Sequence, residues 1–289
     1  MKKSYIFAAL AILIWSSMAT VSKILLVSAD PYQVLCISAL FGSLAMLILN
    51  IFNGKLKLIK CYSFKDLAVM VSTGLLGNLF YNLFYYLGAD LIPASQAFII
   101  NYLWPIMSVV FACILLKERL TSRKLIAIAI SFVGVITVAG KDLLSFNGTT
   151  LLGAFFCALA AVFYGAFTAM NKRFKYDMHI SMMLSLFVTF LLTLIYKLTT
   201  NGFAPIDIAN LAGLAWNGIF TLAAGSTLWA LALNNGNTAK ISNLAYITPF
   251  LSLVWIFLFL KEPISLLSIA GLAVIVIGIF IQLKDNKAN

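Results

Sequence analysis

The sequence has little charge. Only 10% of its 289 residues are Asp, Glu, Lys or Arg, whereas a soluble domain carries about a quarter to cover its surface. Acid is scarcest, with 9 Asp and Glu against 20 Lys and Arg. There is a single histidine, His179, and there are four cysteines. Cys36, Cys61, Cys113 and Cys157 lie far apart, with no C-x-x-C pair. That spacing argues against a disulfide framework and against zinc, so no metal and no cofactor are expected. No phosphate-binding glycine loop, catalytic triad or metal-ligand cluster occurs. A membrane enzyme needs such a constellation, so an enzyme is not expected. Charged rings or a filter loop, which an ion channel needs, are also missing.

What is present is apolar. Hydrophobic residues make up 63% of the chain, and mean hydropathy is +1.03. Most of such a surface requires an apolar solvent. The formal charge of +11 does not indicate nucleic acid. The basic residues fall in short connections between apolar runs, where they act as topology signals. A spanning helix needs about 20 mostly apolar residues. Ten segments qualify: 5–27, 32–53, 66–88, 94–116, 124–140, 151–171, 180–198, 208–232, 238–260 and 264–283. The expected fold is an all-α membrane protein of ten transmembrane helices. The first run is too long for a signal-peptide core and carries Lys23, so it reads as a retained helix. Turn signals separate the runs, among them Asp30-Pro31, Asn53-Gly54, Asn147-Gly148, Asn201-Gly202 and Asn235-Gly236.

Basic residues orient the chain. With the N-terminus in the cytoplasm, the inner side receives Lys2, Lys3, Lys55, Lys57, Lys60, Lys65, Lys117, Arg119, Arg123, Lys124, Lys172, Arg173, Lys175, Lys240, Lys284 and Lys287. The outer side receives only Lys23, Lys141, Lys197 and Lys261. The expectation is a multi-pass protein of the cell (inner) membrane with both termini cytoplasmic.

The chain also repeats. A shift of 144 places Tyr102 on Tyr246, Pro105 on Pro249, Ser108 on Ser252, Lys117-Glu118 on Lys261-Glu262, Gly74 on Gly218 and Gly134 on Gly278. Nearer the N-terminus a shift of 149 puts Trp15 over Tyr164 and Ser22-Lys23 over Asn171-Lys172. The expected units are residues 1–144 and 145–289, integrated as one membrane domain. Five helices per repeat is an odd number, so the second copy is inverted. Inverted repeats place a substrate site near the midplane and give alternating access a physical basis.

Polar and aromatic side chains recur at helical spacing. Asn78, Tyr81, Asn82 and Tyr85 follow i, i+3, i+4, i+7. Asn101, Tyr102, Trp104, Pro105 and Ser108 cluster further on. Trp15, Ser16, Thr20 and Lys23 mark the first helix; Tyr164, Thr168, Asn171 and Lys172 the sixth; Ser242, Tyr246 and Pro249 the ninth. Such groups avoid lipid and face protein or a wet cavity. Interhelical hydrogen bonding is the alternative for any single Ser or Thr. Pro105 and Pro249 occupy corresponding mid-helix positions, where each removes a hydrogen bond and acts as a hinge. Lys23 and Lys172 are the deepest charges; each either snorkels or meets a substrate carboxylate. No acid lies in a helix core, and His179 falls in the loop before the seventh run.

At these motifs the sequence resembles the EamA branch of the drug/metabolite transporter superfamily, over nearly its full length. Within it, the chain is similar to the aromatic amino-acid exporters. The matching strings are Trp15-Ser16-Ser17-Met18 with Lys23, Asn101-Tyr102-Leu103-Trp104-Pro105, Asn171-Lys172, Trp229, Gly236-Asn237 and Tyr246-Ile247-Thr248-Pro249. The resemblance implies a cavity lined by helices of both repeats and movement of amino acids or related small metabolites. The chain departs from those exporters at Phe163, where they tend to carry Trp, and Glu118 fits the broader family better. The expected substrate contacts are Trp15, Ser16, Asn78, Tyr81, Tyr85, Asn101, Tyr102, Trp104, Phe163, Trp229 and Tyr246. The expected function is a transporter, in the export direction. A carrier of quaternary or aromatic cations held in an aromatic cage is an alternative, and a non-transporting membrane protein a second. Expected partners are the small-molecule substrate and the lipid bilayer, with no nucleic acid, in a monomer or weak homo-oligomer.

Overall fold

The computed structural model describes residues 2–145, 148–174, 176–235 and 244–285. Lys175, Lys240, Lys287, Ser242 and the Gly236-Asn237 string lie outside the described residues. Every described element is helical, and no strand occurs among them. In chain order the helices are α1 (Lys2–Ser16), α2 (Met18–Leu26), α3 (Pro31–Phe52), α4 (Phe64–Leu75), α5 (Tyr81–Leu91), α6 (Ala94–Asn101) and α7 (Trp104–Leu115). The second half holds α8 (Ser122–Ser145), α9 (Gly148–Arg173), α10 (Met178–Thr199), α11 (Ile208–Trp216), α12 (Gly225–Asn235), α13 (Thr248–Trp255) and α14 (Leu266–Asp285).

Several helices join end to end. Among the described residues, seven helical runs are long and apolar enough to cross a membrane: Lys3–Leu26, Pro31–Phe52, Phe64–Leu91, Ala94–Leu115, Gly148–Arg173, Met178–Thr199 and Ile208–Trp229. Ala245–Leu260 and Leu266–Ile281 are shorter apolar helices. Ile48, Ile195 and Phe257 are each more than half exposed, at 53%, 58% and 57%. Hydrocarbon accommodates such side chains, and helices satisfy their own backbone there. The chain is a multi-pass membrane protein.

The chain forms two compact units, and each takes residues from both halves of the sequence. One comprises residues 1–79 and 176–255, the other 80–175 and 256–289.

In the first unit, α3 and α10 are an antiparallel pair joined at both ends. Asp30 caps α3, its Oδ1 accepting the Tyr32 and Gln33 amides at 3.1 Å each, with Pro31 at the first position, where its missing N–H costs nothing. Its other oxygen takes Lys197 Nζ, from the last turn of α10, at 2.5 Å. Asp177 caps α10 in the same way, accepting His179 N at 3.0 Å and Ile180 N at 3.2 Å. Its Oδ2 takes Lys55 Nζ, just beyond α3, at 2.8 Å. His179 therefore lies in the first turn of α10, not in a loop: the Asp177 cap starts the helix ahead of the apolar run.

Among the described residues, π-helical turns occur at Leu76–Phe80 between α4 and α5, at Asn217–Ala224 between α11 and α12, and at Ile256–Leu260 after α13. The first two each present an asparagine to a serine. Asn78 Nδ2 donates to Ser185 Oγ at 2.7 Å, and Asn217 Nδ2 donates to Ser38 Oγ at 3.1 Å. Both bonds are buried, where leaving either partner unmade is costly. The π turn shifts the phase of the helix, so the Asn78–Tyr85 stripe is not one face. Asn78 belongs to the first unit; Tyr81 and Tyr85 belong to the second.

In the second unit, α8 and α14 meet through small residues. A Cβ on Gly134 would stand 2.8 Å from the Gly271 carbonyl, and one on Gly278 would stand 2.9 Å from that of Ala127.

Candidate functional site: an aromatic cluster at a broken helix

The second unit gathers most of the sequence-predicted site. The run 94–115 is not one kinked helix. α6 ends at Asn101, and Tyr102-Leu103 make a tight turn, with Leu103 N on Ile100 O at 3.1 Å and Ile106 N on Leu103 O at 3.0 Å. α7 restarts at Trp104 with Pro105 in its first turn. Pro105 thus sits where a helix has no use for its N–H. The proline has no amide to offer the Asn101 carbonyl, which would bond residue 105 in a continuous helix. Pro249 holds the matching place, second in α13 after the tight turn Ala245–Ile247.

Asn101 is therefore a helix-terminal residue, 3% exposed. Its Nδ2 donates to the Tyr81 hydroxyl at 3.1 Å. Its Oδ1 is buried and accepts no hydrogen bond among the described residues, and neither does the fully buried hydroxyl of Tyr85 make one. Buried polar groups are normally paired, so two such groups in one cluster call for an explanation.

Aromatic rings surround this edge. Tyr164 is the hub, with its centroid 4.6 Å from Tyr81 and 5.1 Å from Trp104, the latter edge-on. Tyr102 meets Trp104 at 6.4 Å, and Tyr81 meets Tyr85 at 6.4 Å. Trp104, Tyr81 and Tyr164 are partly exposed, whereas Tyr85 and Tyr102 are buried. Two close packings bring the rings together. A Cβ on Gly165 would stand 2.5 Å from Met107 Cβ, so α9 lies directly on α7. One on Gly88 would stand 2.7 Å from the Gly153 carbonyl, so α5 lies directly on α9.

Tyr164 was placed by sequence only in a polar stripe. The register that puts Trp15 over Tyr164 is the sequence signal that could have added it to the candidate cluster. Phe163 serves differently: it stacks between Phe80 at 5.0 Å and Phe84 at 5.4 Å, in an all-phenylalanine pile.

Glu262 fixes the other end of α6. Its carboxylate accepts Ala94 N at 2.9 Å and Ser95 N at 3.0 Å, and the Ser95 hydroxyl donates to it as well. Carboxylates are favoured at helix N-termini. Lys261 before it has φ 54, a left-handed conformation, as does Lys117 at φ 56.

The first unit holds its own aromatic cluster. Trp15 packs on Trp229 at 5.5 Å. Ser16 Oγ donates to Leu13 O at 2.9 Å and accepts Trp255 Nε1 at 2.9 Å. Ser17 Oγ donates to Ile14 O at 2.7 Å and accepts Trp216 Nε1 at 3.2 Å. These bonds coincide with the break between α1 and α2. Trp255 and Trp216, which tie down the two serines, were not singled out from sequence. Thr20 Oγ1 and Ser252 Oγ are buried without a hydrogen bond among the described residues. Tyr246 lies half-buried in the turn before α13. Lys23 is half-buried, and Lys172 is exposed in the last turn of α9.

Among the described residues no three His, Cys, Asp or Glu converge as metal ligands. Broken apolar helices whose ends present aromatic and amide groups suit a membrane transporter of small molecules. The chain belongs to the EamA-like transporter family, whose model matches residues 2–140 and 151–283. It is a transporter and not an enzyme. An "Uncharacterized transporter" of Clostridium kluyveri is 27% identical, over 99% of this chain and 95% of its own length. A "Probable terminal-alkyne amino-acid exporter" of Streptantibioticus cattleyicolor is 26% identical over 75% of this chain and 73% of its own. The "Aromatic amino acid exporter YddG" of Ancylobacter novellus is 25% identical over 61% of this chain and 63% of its own. A solved crystal structure, 19% identical, superposes with a TM-score of 0.66 over 98% of this chain and 96% of that one, which is a likeness of fold.

Proposed function

We propose that this protein exports amino acids with flat or apolar side chains, by alternating access across the cell (inner) membrane. The observation that carries the reading is Asn101. Its amide is oriented by Tyr81, and its buried Oδ1 is left open. An α-ammonium group offers the N–H donors such an oxygen lacks. The rings of Tyr81, Tyr164 and Trp104 offer flat contact to a side chain, and the Tyr85 hydroxyl a donor for a carboxylate. The names of the two exporters support the same substrate class.

The reading includes ten transmembrane helices in two inverted five-helix repeats, residues 1–144 and 145–289, with both termini cytoplasmic. Nine apolar helical runs among the described residues, together with α8, support that count. The Asp30 and Asp177 caps, 147 residues apart (177 − 30), sit at opposite ends of one antiparallel pair and support the inversion. Pro105 and Pro249 are the hinges, each at the restart of a broken helix. The substrate contacts proposed in the first unit are Trp15, Ser16, Trp229 and Tyr246.

A second reading is a carrier of quaternary or aromatic cations. The Tyr81–Tyr164–Trp104 cluster favours it, because a cage of rings holds a cation without a carboxylate. Efflux from preloaded membrane vesicles separates the two. Phenylalanine or tryptophan efflux that tetramethylammonium does not inhibit supports amino-acid export. Efflux of the ammonium alone supports the cation carrier.

A further inference from the structure

The connection between α3 and α4 has a regular structure and holds none of the residues proposed to contact substrate. Residues Lys55–Cys61 form a 3₁₀ helix, in which residues three apart share a face. Leu56 and Ile59 form the inward face, packed on the core of Met46, Met183, Leu186, Leu222 and Ala223. Lys57 and Lys60 form a second face, and Leu58 and Cys61 a third; all four are exposed. Phe52, the last residue of α3, and Phe64, the first of α4, flank the segment at 85% and 87% exposure. Lys65 follows, also exposed.

Acid near this face is already engaged. Asp177 holds Lys55. Asp66 accepts Ser63 N at 2.9 Å, Ser63 Oγ at 2.6 Å and the Tyr176 hydroxyl at 3.0 Å. Residues 55–66 carry four lysines and one acid, a net +3 (4 − 1). Among the described residues, no hydrogen bond or ion pair takes the Lys57 or Lys60 ammonium.

We infer that this segment is a headgroup-binding shelf for anionic phospholipid, with Lys57, Lys60 and Lys65 meeting the phosphates and Phe52, Leu58 and Phe64 entering the acyl boundary. Exposed apolar side chains beside a lysine face are how an interfacial segment holds a bilayer. The position supports a lipid over a soluble anion, since the segment joins the ends of two spans. Each lysine near an anionic surface contributes about fivefold in affinity, so three contribute roughly a hundredfold.

The test uses the purified full-length protein in nanodiscs of phosphatidylcholine with or without phosphatidylglycerol. Lipid retained on the protein is measured by native mass spectrometry, and melting temperature alongside. Wild type should retain phosphatidylglycerol and melt higher in its presence. Lys57→Gln/Lys60→Gln/Lys65→Gln should lose the retention and the shift while melting as wild type does in phosphatidylcholine. If the triple variant does not fold, Lys57→Gln and Lys60→Gln singly should each weaken retention about fivefold. Retention unchanged by these substitutions overturns the inference. So does an equal melting shift from inorganic phosphate or glycerol phosphate, because the site would then be one for a soluble anion.

Discussion

The amide of Asn101 donates to the hydroxyl of Tyr81 at 3.1 Å, and the opposite oxygen of the same amide is buried without a hydrogen bond among the described residues. Asn50 likewise donates through Nδ2 and leaves its Oδ1 buried without a hydrogen bond among the described residues, so flux and stability measured together separate a substrate contact from a packing residue. Asn101→Ala should cost about 1 kcal/mol of stability through the lost hydrogen bond, a shift of a few degrees in melting temperature, while substrate flux falls tenfold or more. A melting loss large enough to account for the flux would make Asn101 structural.

Gly165 sets the distance between Tyr164 and Trp104. A methyl there meets Met107 Cβ at 2.5 Å and Met107 C at 2.6 Å, and backbone cannot yield as a side-chain tip does. Gly165→Ala should cost roughly 1–3 kcal/mol by overpacking and reduce flux by separating the rings. Thermal melting checks the first effect and vesicle efflux the second.

The two left-handed lysines give the opposite expectation. Lys117 and Lys261, at φ 56 and 54, have a side chain where glycine is favoured. Lys117→Gly should stabilise by about 1 kcal/mol. Lys261→Gly should gain less, because the lysine backbone helps to aim Glu262 at α6. Urea or thermal unfolding of the two variants in detergent measures the difference.

Much of the fold was legible because lipid imposes a simple code. Run length, breakers and basic residues marked most of the spans, and the 144-residue register paired Lys117 with Lys261 before their shared backbone conformation was seen. Three things were hidden. A π turn changes helical phase without any residue signature, so Asn78 read as a neighbour of Tyr81 although it bonds Ser185. From sequence Pro105 stands in mid-helix, and the break at Tyr102-Leu103 does not show, because proline in a long apolar run looks the same whether the helix bends or restarts. Phe163 and Tyr164 are adjacent on one helix, and only packing shows which meets Trp104.

Ion pairing at α10 gives a pH dependence. Burial raises the Asp177 carboxyl, but the Lys55 hydrogen bond, the Ile180 amide and the Lys55 and His179 charges outweigh it, so its pKa lies below the ordinary value. A depressed carboxylate contributes stability above its unfolded pKa, and that contribution is lost as pH falls through the folded pKa. The loss therefore falls below about pH 4. The pair is partly solvated, at 30% and 20% side-chain exposure, so it contributes no more than about 1 kcal/mol. Asp177→Asn should lower the melting temperature at pH 7 and narrow its drop between pH 5 and 3.

Transport should depend weakly on a proton gradient. Coupling needs a group inside the membrane whose protonation changes between access states. Among the described residues of the seven long spans, the carboxylates are Asp66 and Asp90, each within three residues of an end of Phe64–Leu91. Uphill accumulation that follows an imposed pH gradient, and collapses with a protonophore, would contradict this and direct attention to Lys23 and Lys172.

The central claim is that an amino acid passes over the Asn101–Tyr81 edge. Counterflow of radiolabelled phenylalanine or tryptophan into proteoliposomes holding the purified protein tests it directly. The account predicts uptake of label against preloaded unlabelled amino acid, falling at least tenfold in Asn101→Ala reconstituted to equal density and equal melting behaviour. Uptake equal in the variant and wild type, or no counterflow of any neutral amino acid with the protein folded, would contradict it.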